Sequence, residues 1–349
     1  MTDLQTFVAG LPKAELHVHH VGSASPRIVA ELAARHAGAT DVPADPALLA
    51  EYFTFTDFAH FIRTYLSVVD LIRDPEDVWT LTYEIARELA TQSVRYAELT
   101  LTPYSSIARG IAAEAFCEAV EDARVRARAD FGVALTWCFD TPGEAGVPAA
   151  DITLDVATRV RPDGLVSFGL GGPELGVPRE QFAPHFEAAI AAGLHSVPHA
   201  GESTGPQTIW DALHFLHAER IGHGIAAAQD PRLMAHLAEV GVPLEICPTS
   251  NVCTRSVPSL AEHPLPTLVA AGVPVTINSD DPPMFSTTVD HEYEIAADLL
   301  GLDTDGVAEL ARAGVRASFL DGAGKQALLA EIDDYVTVTG RSGAAGAHP

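Results

Sequence analysis

The chain has 349 residues, which is enough for one large barrel domain or for two domains of average size. Its 21 basic and 47 acidic residues give a formal net charge of −26. This balance excludes the basic surface that nucleic acids and anionic membranes require, and it is typical of a solvated surface. No apolar run approaches the length of a membrane span, so we expect neither a nucleic-acid partner nor a membrane partner.

The N-terminal segment and the cysteines indicate a cellular compartment. Residues 1–11 have neither a basic lead nor the apolar stretch of a signal peptide. The four cysteines form no Cys-x-x-Cys pair, and two of them lie in apolar strand-like runs, which predicts buried, reduced thiols. We therefore expect a cytoplasmic protein. The sequence leaves the oligomeric state open, and a homo-oligomer is compatible with it.

Eight apolar, strand-like runs recur along the chain and alternate with helical patterns. Because this alternation implies parallel strands joined by crossover helices, the eight units predict a (β/α)8 barrel, the TIM barrel. The predicted strands are residues 15–19, 94–101, 133–139, 164–170, 195–199, 220–222, 243–247 and 273–278. The predicted helices between them are residues 25–36, 57–71, 77–92, 111–129, 179–192, 206–217, 230–239 and 258–271.

Two segments add to this barrel. Residues 37–55 have an irregular pattern and run into a helix with Phe58, Phe61, Ile62 and Tyr65 on one face. Because the segment follows the first strand and helix, we predict a helical lid insertion after strand 1; ordinary core packing of the aromatic face is the alternative.

Extra C-terminal helices are predicted at residues 291–300, 304–318 and 324–335. No Ser/Gly/Pro-rich linker divides the chain. We therefore predict a single domain at residues 1–339, followed by a disordered tail at residues 340–349.

A histidine pair near the N-terminus carries the first chemical signal. The alternation of side chains along a strand places His17 and His19 on the same face. His199 and Asp280 also follow apolar runs, so parallel strands would bring all four side chains to one end of the barrel. Three imidazoles and one carboxylate with an open position are a ligand set for catalytic zinc. A His-x-His pair among 15 histidines is weak alone, and the common placement strengthens it.

Three other polar residues in or beside the same segments have both a structural and a chemical interpretation. Glu202 is either a helix-capping carboxylate or an acid, and His223 is either a helix or strand terminator or a catalytic imidazole. Asp281 is either part of a surface turn or a second buried acid beside Asp280. Two adjacent acids after an apolar run are costly to bury without a metal or a proton, which favours the chemical interpretation.

Five segments together resemble the signature motifs of the adenosine deaminase family, of the amidohydrolase superfamily. They read PKAELHVH at residues 12–19, HAGE at 199–202, RIGHG at 220–224, EICPTSN at 245–251 and NSDDP at 278–282. They occur in the same order as in that family, and the similarity extends over residues 11–320.

The resemblance implies a zinc-dependent hydrolytic deaminase with one zinc ion per chain. The zinc would lower the pKa of a bound water and so generate the nucleophile for C6 of an adenine ring. The implied zinc ligands are His17, His19, His199 and Asp280.

The same resemblance implies how the purine is held and activated. Glu202 would protonate ring N1, and His223 would orient the attacking hydroxide. Asp281 would hydrogen-bond N7, as a protonated acid or through a shared proton, and the backbone of Gly172 would reach N3. Ammonia leaves and a 6-oxopurine remains, so the expected partner is a small-molecule purine nucleoside.

One departure from the family pattern concerns the substrate. Val21 occupies the position of an aspartate that, in typical members, accepts a hydrogen bond from the ribose 5′-hydroxyl. A valine suits an apolar 5′ substituent, because an aspartate acceptor would stay unpaired beside a 5′-deoxy ligand. Candidate substrates are 6-amino-6-deoxyfutalosine, 5′-methylthioadenosine and S-adenosylhomocysteine. The segment HHVGSASP at residues 19–26 resembles the aminodeoxyfutalosine deaminase branch, which acts in menaquinone biosynthesis.

Two other hypotheses stay open on the sequence. An ordinary adenosine or adenine deaminase of purine salvage would tolerate Val21, and a non-catalytic binding protein would use the same scaffold without turnover.

Aminodeoxyfutalosine carries a benzoate, which aromatic rings would contact and an arginine would pair with. The alternative is that these arginines lie on a solvated helix face. His20 would either contact the 5′ substituent or be a loop histidine without a role in binding. The aromatic candidates are Phe55, Phe58 and Phe61, and the arginines are Arg63 and Arg27.

Overall fold

Eight parallel strands form one sheet in which each strand pairs with the next along the chain. The computed structural model describes residues 3–54 and 58–345, with backbone alone at 46, 50, 58, 59, 61, 62 and 341–345. A backbone bridge from Val18 to Asp280 joins the two ends of the sheet, and the predicted (β/α)8 barrel is confirmed. The strands are β1 (Lys13–His19), β2 (Val94–Leu101), β3 (Ala134–Pro142), β4 (Leu165–Gly171), β5 (His195–Ala200), β6 (Ile221–His223), β7 (Leu244–Ile246) and β8 (Val275–Ile277).

Sixteen α-helices in the described part of the chain surround and extend the barrel. They are α1 (Asp3–Gly10), α2 (Pro26–Arg35), α3 (Pro46–Tyr52), α4 (Phe58–Val69), α5 (Pro75–Thr91), α6 (Pro103–Ala108), α7 (Ala113–Phe131), α8 (Gly146–Asp155), α9 (Ala183–Ala191), α10 (Pro206–Phe215), α11 (Pro231–Val240), α12 (Pro248–Cys253), α13 (Leu265–Ala270), α14 (Val289–Leu300), α15 (Thr304–Ala317) and α16 (Gly322–Ala345).

Many of these helices begin at a short local signal in the sequence. The side chains of Ser25, Asp74 and Asp230 each accept a hydrogen bond from a backbone N–H in the first turn, and a proline follows each of them. A capping side chain satisfies a free N–H group, and proline fixes the backbone angle that the first helical residue needs. The sequence therefore sets these helix starts locally.

Helix α8 lies between β3 and β4, where the sequence predicted no helix. Its buried side chains are Ala149, Ala150 and Thr153, which are small and give little apolar periodicity. Gly146 and Pro148 at its start are also typical of turns. The helix therefore depends on tertiary packing against the barrel more than on its own sequence.

The predicted helix at residues 258–271 was wrong in its first half. The structure has a 3₁₀ turn at Leu260–Glu262 and then α13, which begins only after Pro264. Proline lacks the N–H group that a helix interior needs, so a continuous helix cannot pass through it.

The insertion after β1 is more helical than predicted. Helix α3 lies inside the segment 37–55 that was expected to be irregular, and α4 forms close to its predicted bounds. Phe55 and the side chains of Phe58, Phe61 and Ile62 lie outside the described residues. The role of this insertion as a lid stays a prediction.

One connected set of buried apolar residues runs from Phe7 to Ile332. The single domain at residues 1–339 stays a prediction, and its boundary falls inside α16, which continues to Ala345. Residues 340–345, expected in a disordered tail, are therefore helical in the structure, and residues 346–349 lie outside it. No helix in the described ranges combines the length and apolarity needed to cross a membrane.

Candidate metal centre and active site

The four predicted zinc ligands come together at the carboxyl end of the barrel. The Nε2 atom of His19 lies 3.2 Å from His199 Nε2 and 3.2 Å from Asp280 Oδ1. His17 Nε2 lies 3.6 Å from the same Asp280 oxygen. The two histidines of β1 thus face one carboxylate just beyond β8, and the histidine of β5 lies against His19.

These separations fit a shared metal ion. Ligand atoms about 2.1 Å from a tetrahedral zinc ion are roughly 3.4 Å from one another. Since His17 Nε2 is buried with no hydrogen-bond partner, it has a free lone pair directed into the cluster. The donor set of imidazole nitrogens and a carboxylate is the set that zinc prefers, so the residues present fit the metal.

Two further side chains lie close to this cluster. His223 places a ring nitrogen within 4.8 Å of ring nitrogens of His17 and His199, and Cys247 places its sulfur equally near His17 and Asp280. Cys247 was predicted only as a buried thiol, which it is, and burial raises its pKa well above the ordinary value.

The backbone fixes Asp280 against β1. Asp280 N donates to His17 O at 3.0 Å, and His19 N donates to Asp280 O at 2.9 Å. Asp280 has a φ of +65°, in the left-handed region that costs energy for a non-glycine residue. Ser250 Oγ donates to Asp280 Oδ2 at 2.6 Å, which leaves Oδ1 to face the histidines.

Partners behind the histidines set the directions of their rings. His17 Nδ1 lies 2.7 Å from Glu245 Oε2, and His199 Nδ1 lies 3.0 Å from the carbonyl oxygen of Leu170. Such contacts fix a ring orientation with Nε2 toward the cluster. Glu245 begins the EICPTSN segment at residues 245–251, but no role was predicted for it from the sequence.

Charge and burial act in opposite directions on these rings. Burial lowers the pKa of His19 to about 4. Burial also disfavours charge on His17, but the neighbouring carboxylates of Asp280 and Glu245 outweigh it and raise its pKa to about 10.

Glu202 and His223 face each other beside the cluster. His223 Nε2 lies 3.7 Å from Glu202 Oε2 and 3.8 Å from Asp280 Oδ2. Asn251 Nδ2 donates to His223 Nδ1 at 3.1 Å, and the Asn251 oxygen is 3.2 Å from His263 Nε2. Because Nδ1 then accepts, the proton of neutral His223 lies on Nε2, directed toward the acids.

A buried carboxylate holds the loop that carries Glu202. Glu174 accepts from the backbone N–H groups of Glu202 at 3.3 Å, Ser203 at 3.0 Å and Thr204 at 2.9 Å. Arg179 lies 3.6 Å from Glu174 and donates to His199 O at 3.0 Å. Neither residue was predicted as a site residue, because a carboxylate bound to backbone N–H groups leaves no spacing signal in the sequence.

The two predicted purine contacts lie on opposite sides of the mouth. Asp281 Oδ1 is buried without a partner, and burial together with the charge of Asp280 raises the pKa of Asp281 well above its usual range. A Cβ at Gly22 would lie 1.4 Å from that oxygen, so the backbone after Val21 packs directly on Asp281. Gly172 has a φ of +79° at the end of β4.

Two more residues at the mouth were not predicted as site residues. Asp140, at the end of β3, accepts from Thr102 Oγ1 at 2.5 Å, and burial raises its pKa to about 7. Burial raises the pKa of Tyr65 well above its usual value, and the charges of Asp281 and Asp140 raise it further.

Comparison with known proteins identifies the family. Residues 12–335 match the family model described as adenosine deaminase. The chain belongs to the adenosine deaminase family.

The chain is 68% identical over 335 residues to an aminodeoxyfutalosine deaminase of Streptomyces avermitilis, covering 95% of this chain and 93% of that protein. It is 38% identical to an adenine deaminase of Cupriavidus necator, covering 93% and 92%. The structure of an adenine deaminase from Arthrobacter aurescens superimposes with a TM-score of 0.87 at 33% identity, covering 94% and 99%. The prediction of a hydrolytic deaminase is confirmed.

Two residues considered for the 5′ extension of the substrate have partners within this deaminase. Arg27 forms ion pairs with Glu84 at 2.7 Å and Glu88 at 2.9 Å, so its charge is already compensated. His20 is buried, and its Nε2 atom lies 2.8 Å from Oγ1 of Thr82 on α5. Arg63 is exposed on α4.

Proposed function

We propose that this deaminase hydrolyses the C6 amino group of 6-amino-6-deoxyfutalosine and releases futalosine and ammonia. The observation that carries the proposal is the 68% identity to an aminodeoxyfutalosine deaminase, against 38% to an adenine deaminase. We also propose that this reaction serves menaquinone biosynthesis, the pathway implied by the resemblance of residues 19–26.

Val21 supports the choice of a 5′-modified substrate. It is half-buried, packs against the core and precedes Gly22, the residue in contact with Asp281. A purine held at Asp281 would direct its sugar toward this turn. Valine presents no acceptor there, so the 5′-hydroxyl of adenosine would lose a partner that an aspartate provides.

The proposed zinc ligands are His17, His19, His199 and Asp280. When bound, zinc would supply Lewis acidity that brings the pKa of a water molecule close to neutral. The ring contacts of Glu245 and Leu170 keep two of the imidazoles directed at the shared point, which reduces the reorganisation needed for binding.

Glu202 and His223 are the proposed acid and orienting group. Glu202 would donate a proton to ring N1, which makes C6 more electrophilic. The Nε2 proton of neutral His223 is directed toward the space between Glu202 and Asp280. It can therefore hydrogen-bond the oxygen that attacks C6.

Asp281 and Gly172 would fix the ring plane. The raised pKa of Asp281 favours a protonated carboxyl, which donates a hydrogen bond to N7. The positive φ of Gly172 turns its backbone at the end of β4, where the N–H would reach N3.

A substrate panel tests the proposal. Purified zinc-loaded protein is assayed with aminodeoxyfutalosine, 5′-methylthioadenosine, adenosine and adenine, and kcat/KM is compared. We expect aminodeoxyfutalosine to exceed adenosine and adenine by at least about 100-fold, the range that a site with a mismatched polar contact discriminates. Equal or faster turnover of adenosine or adenine would assign the chain to purine salvage.

A further inference from the structure

A threonine hydroxyl lies behind the proposed acid. Thr254 follows α12, and its Oγ1 atom is 3.0 Å from Glu202 Oε1. The same oxygen is 2.9 Å from the carbonyl oxygen of Ser250 and 3.0 Å from Ser256 Oγ. The hydroxyl of Thr254 thus has three oxygen neighbours within hydrogen-bond distance.

The single hydroxyl proton of Thr254 determines which of these contacts can be hydrogen bonds at the same time. Thr254 has one hydroxyl proton, and the Ser250 carbonyl can only accept. When Glu202 is ionised, Thr254 can donate to its carboxylate. When Glu202 is protonated, Glu202 can donate to Thr254, which then turns its own proton to the Ser250 carbonyl. The contact therefore satisfies both protonation states without moving a heavy atom.

We propose that Thr254 is a positioning residue that holds the Glu202 carboxyl in one orientation through both of its protonation states. The inference rests on the proposed role of Glu202 as the acid. Glu202 gives one proton to N1 and regains one from the water whose oxygen ends on C6. The other hydrogen of that water leaves with ammonia, so the enzyme has no net change of protons over a turnover.

The other contacts of Glu202 do not orient its carboxyl group as directly as Thr254 does. Glu174 holds the backbone N–H of Glu202, and His223 is 3.7 Å away from the other carboxylate oxygen. Glu202, Thr254 and Ser256 all line a groove of about 680 Å³ beside the loops that follow β5, β6 and β7. The acid and its threonine partner therefore lie on the same wall of this groove.

The test compares Thr254→Val, which keeps the shape and removes the hydroxyl, with Thr254→Ser, which keeps the hydroxyl. We expect Thr254→Val to lower kcat at least about tenfold with KM changed less than about twofold, since orientation of an acid affects the transition state. Thr254→Ser should recover kcat to within about threefold of wild type.

The matched control is Thr158→Val. Thr158 donates to Leu154 O four residues earlier, the same helix contact that Thr254 has with Ser250, but on the outer helical layer. We expect its kcat and melting temperature to equal those of wild type. If Thr254→Val does not fold, Thr254→Ala measured against Thr254→Ser decides the same question.

Glu202→Gln, assayed in the same series, distinguishes a wrong role for Thr254 from a wrong role for Glu202. If Glu202→Gln is inactive and Thr254→Val has wild-type kcat, the role of Thr254 is wrong while the proposed function stands. If Glu202→Gln is fully active, Glu202 is not the acid and both statements fail. A loss in Thr254→Val that Thr254→Ser does not restore also overturns the inference.

Discussion

His17 and Glu245 form a 2.7 Å contact in which the imidazole Nδ1 faces a carboxylate oxygen, and Glu245 in turn accepts from Arg220 Nε at 2.6 Å. Arg220 also binds Glu98 at 2.5 Å. All four side chains are buried, so the orientation of one proposed zinc ligand depends on a chain of charges that crosses the barrel from β7 to β2.

Glu245→Gln is expected to weaken zinc binding by about 10- to 100-fold, because the glutamine removes the charge that orients His17. Zinc affinity is measured by competition with a chromogenic chelator. The control is Glu219→Gln, since Glu219 forms a 2.8 Å contact with His195 at the exposed start of β5. Equal zinc affinity in the two variants would contradict the role of Glu245.

Val21→Asp should restore an acceptor for a ribose 5′-hydroxyl. We expect the ratio of kcat/KM for adenosine to that for aminodeoxyfutalosine to rise at least about tenfold, as a satisfied hydrogen bond replaces an apolar contact. Val269→Asp, an exposed position on α13, is the control and should leave the ratio unchanged. A ratio that does not move in Val21→Asp would show that residue 21 is not near the sugar.

Gly22→Ala should displace Asp281, because the added Cβ would lie 1.4 Å from its Oδ1 atom. We expect kcat/KM to fall at least about 100-fold, with the zinc content unchanged. Gly322→Ala, where a Cβ would meet no atom within 4 Å, is the control for the loss of a glycine. Normal activity in Gly22→Ala would remove Asp281 from the purine site.

Asp140 should make the stability of the protein depend on pH. Burial raises its folded-state pKa to about 7, while the unfolded chain ionises near its ordinary value of roughly 3.9. Between these values only the unfolded state loses the proton, so this contribution to the free energy of unfolding falls as pH rises and levels off above about pH 7.

Asp140→Asn should therefore flatten this part of the pH dependence in urea unfolding. The exposed Asp163→Asn variant should keep the wild-type slope. Identical slopes in both variants would mean that Asp140 does not hold its proton on folding.

The sequence was sufficient to predict the barrel and the close approach of the residues proposed as metal ligands. Apolar runs of strand length give the positions of the strands, and β2 has the predicted bounds. Strand alternation and barrel geometry then place His17, His19 and His199 together. These predictions succeed because each depends on a local period and on one rule of parallel sheets.

Residues whose role depends on long-range backbone contacts could not be found in this way. Glu174 acts on N–H groups about thirty residues further along, and Thr254 meets Glu202 only through the packing of two loops. Helix α8 was missed for a related reason, since its buried alanines show no amphipathic pattern.

The bridge between Val18 and Asp280 has a consequence for biosynthesis. Donor atoms from the first strand and from beyond the last strand must meet before the proposed zinc site is complete. A nascent polypeptide that lacks its final third has no Asp280 and cannot complete the proposed site, so we expect prematurely terminated products to be inactive.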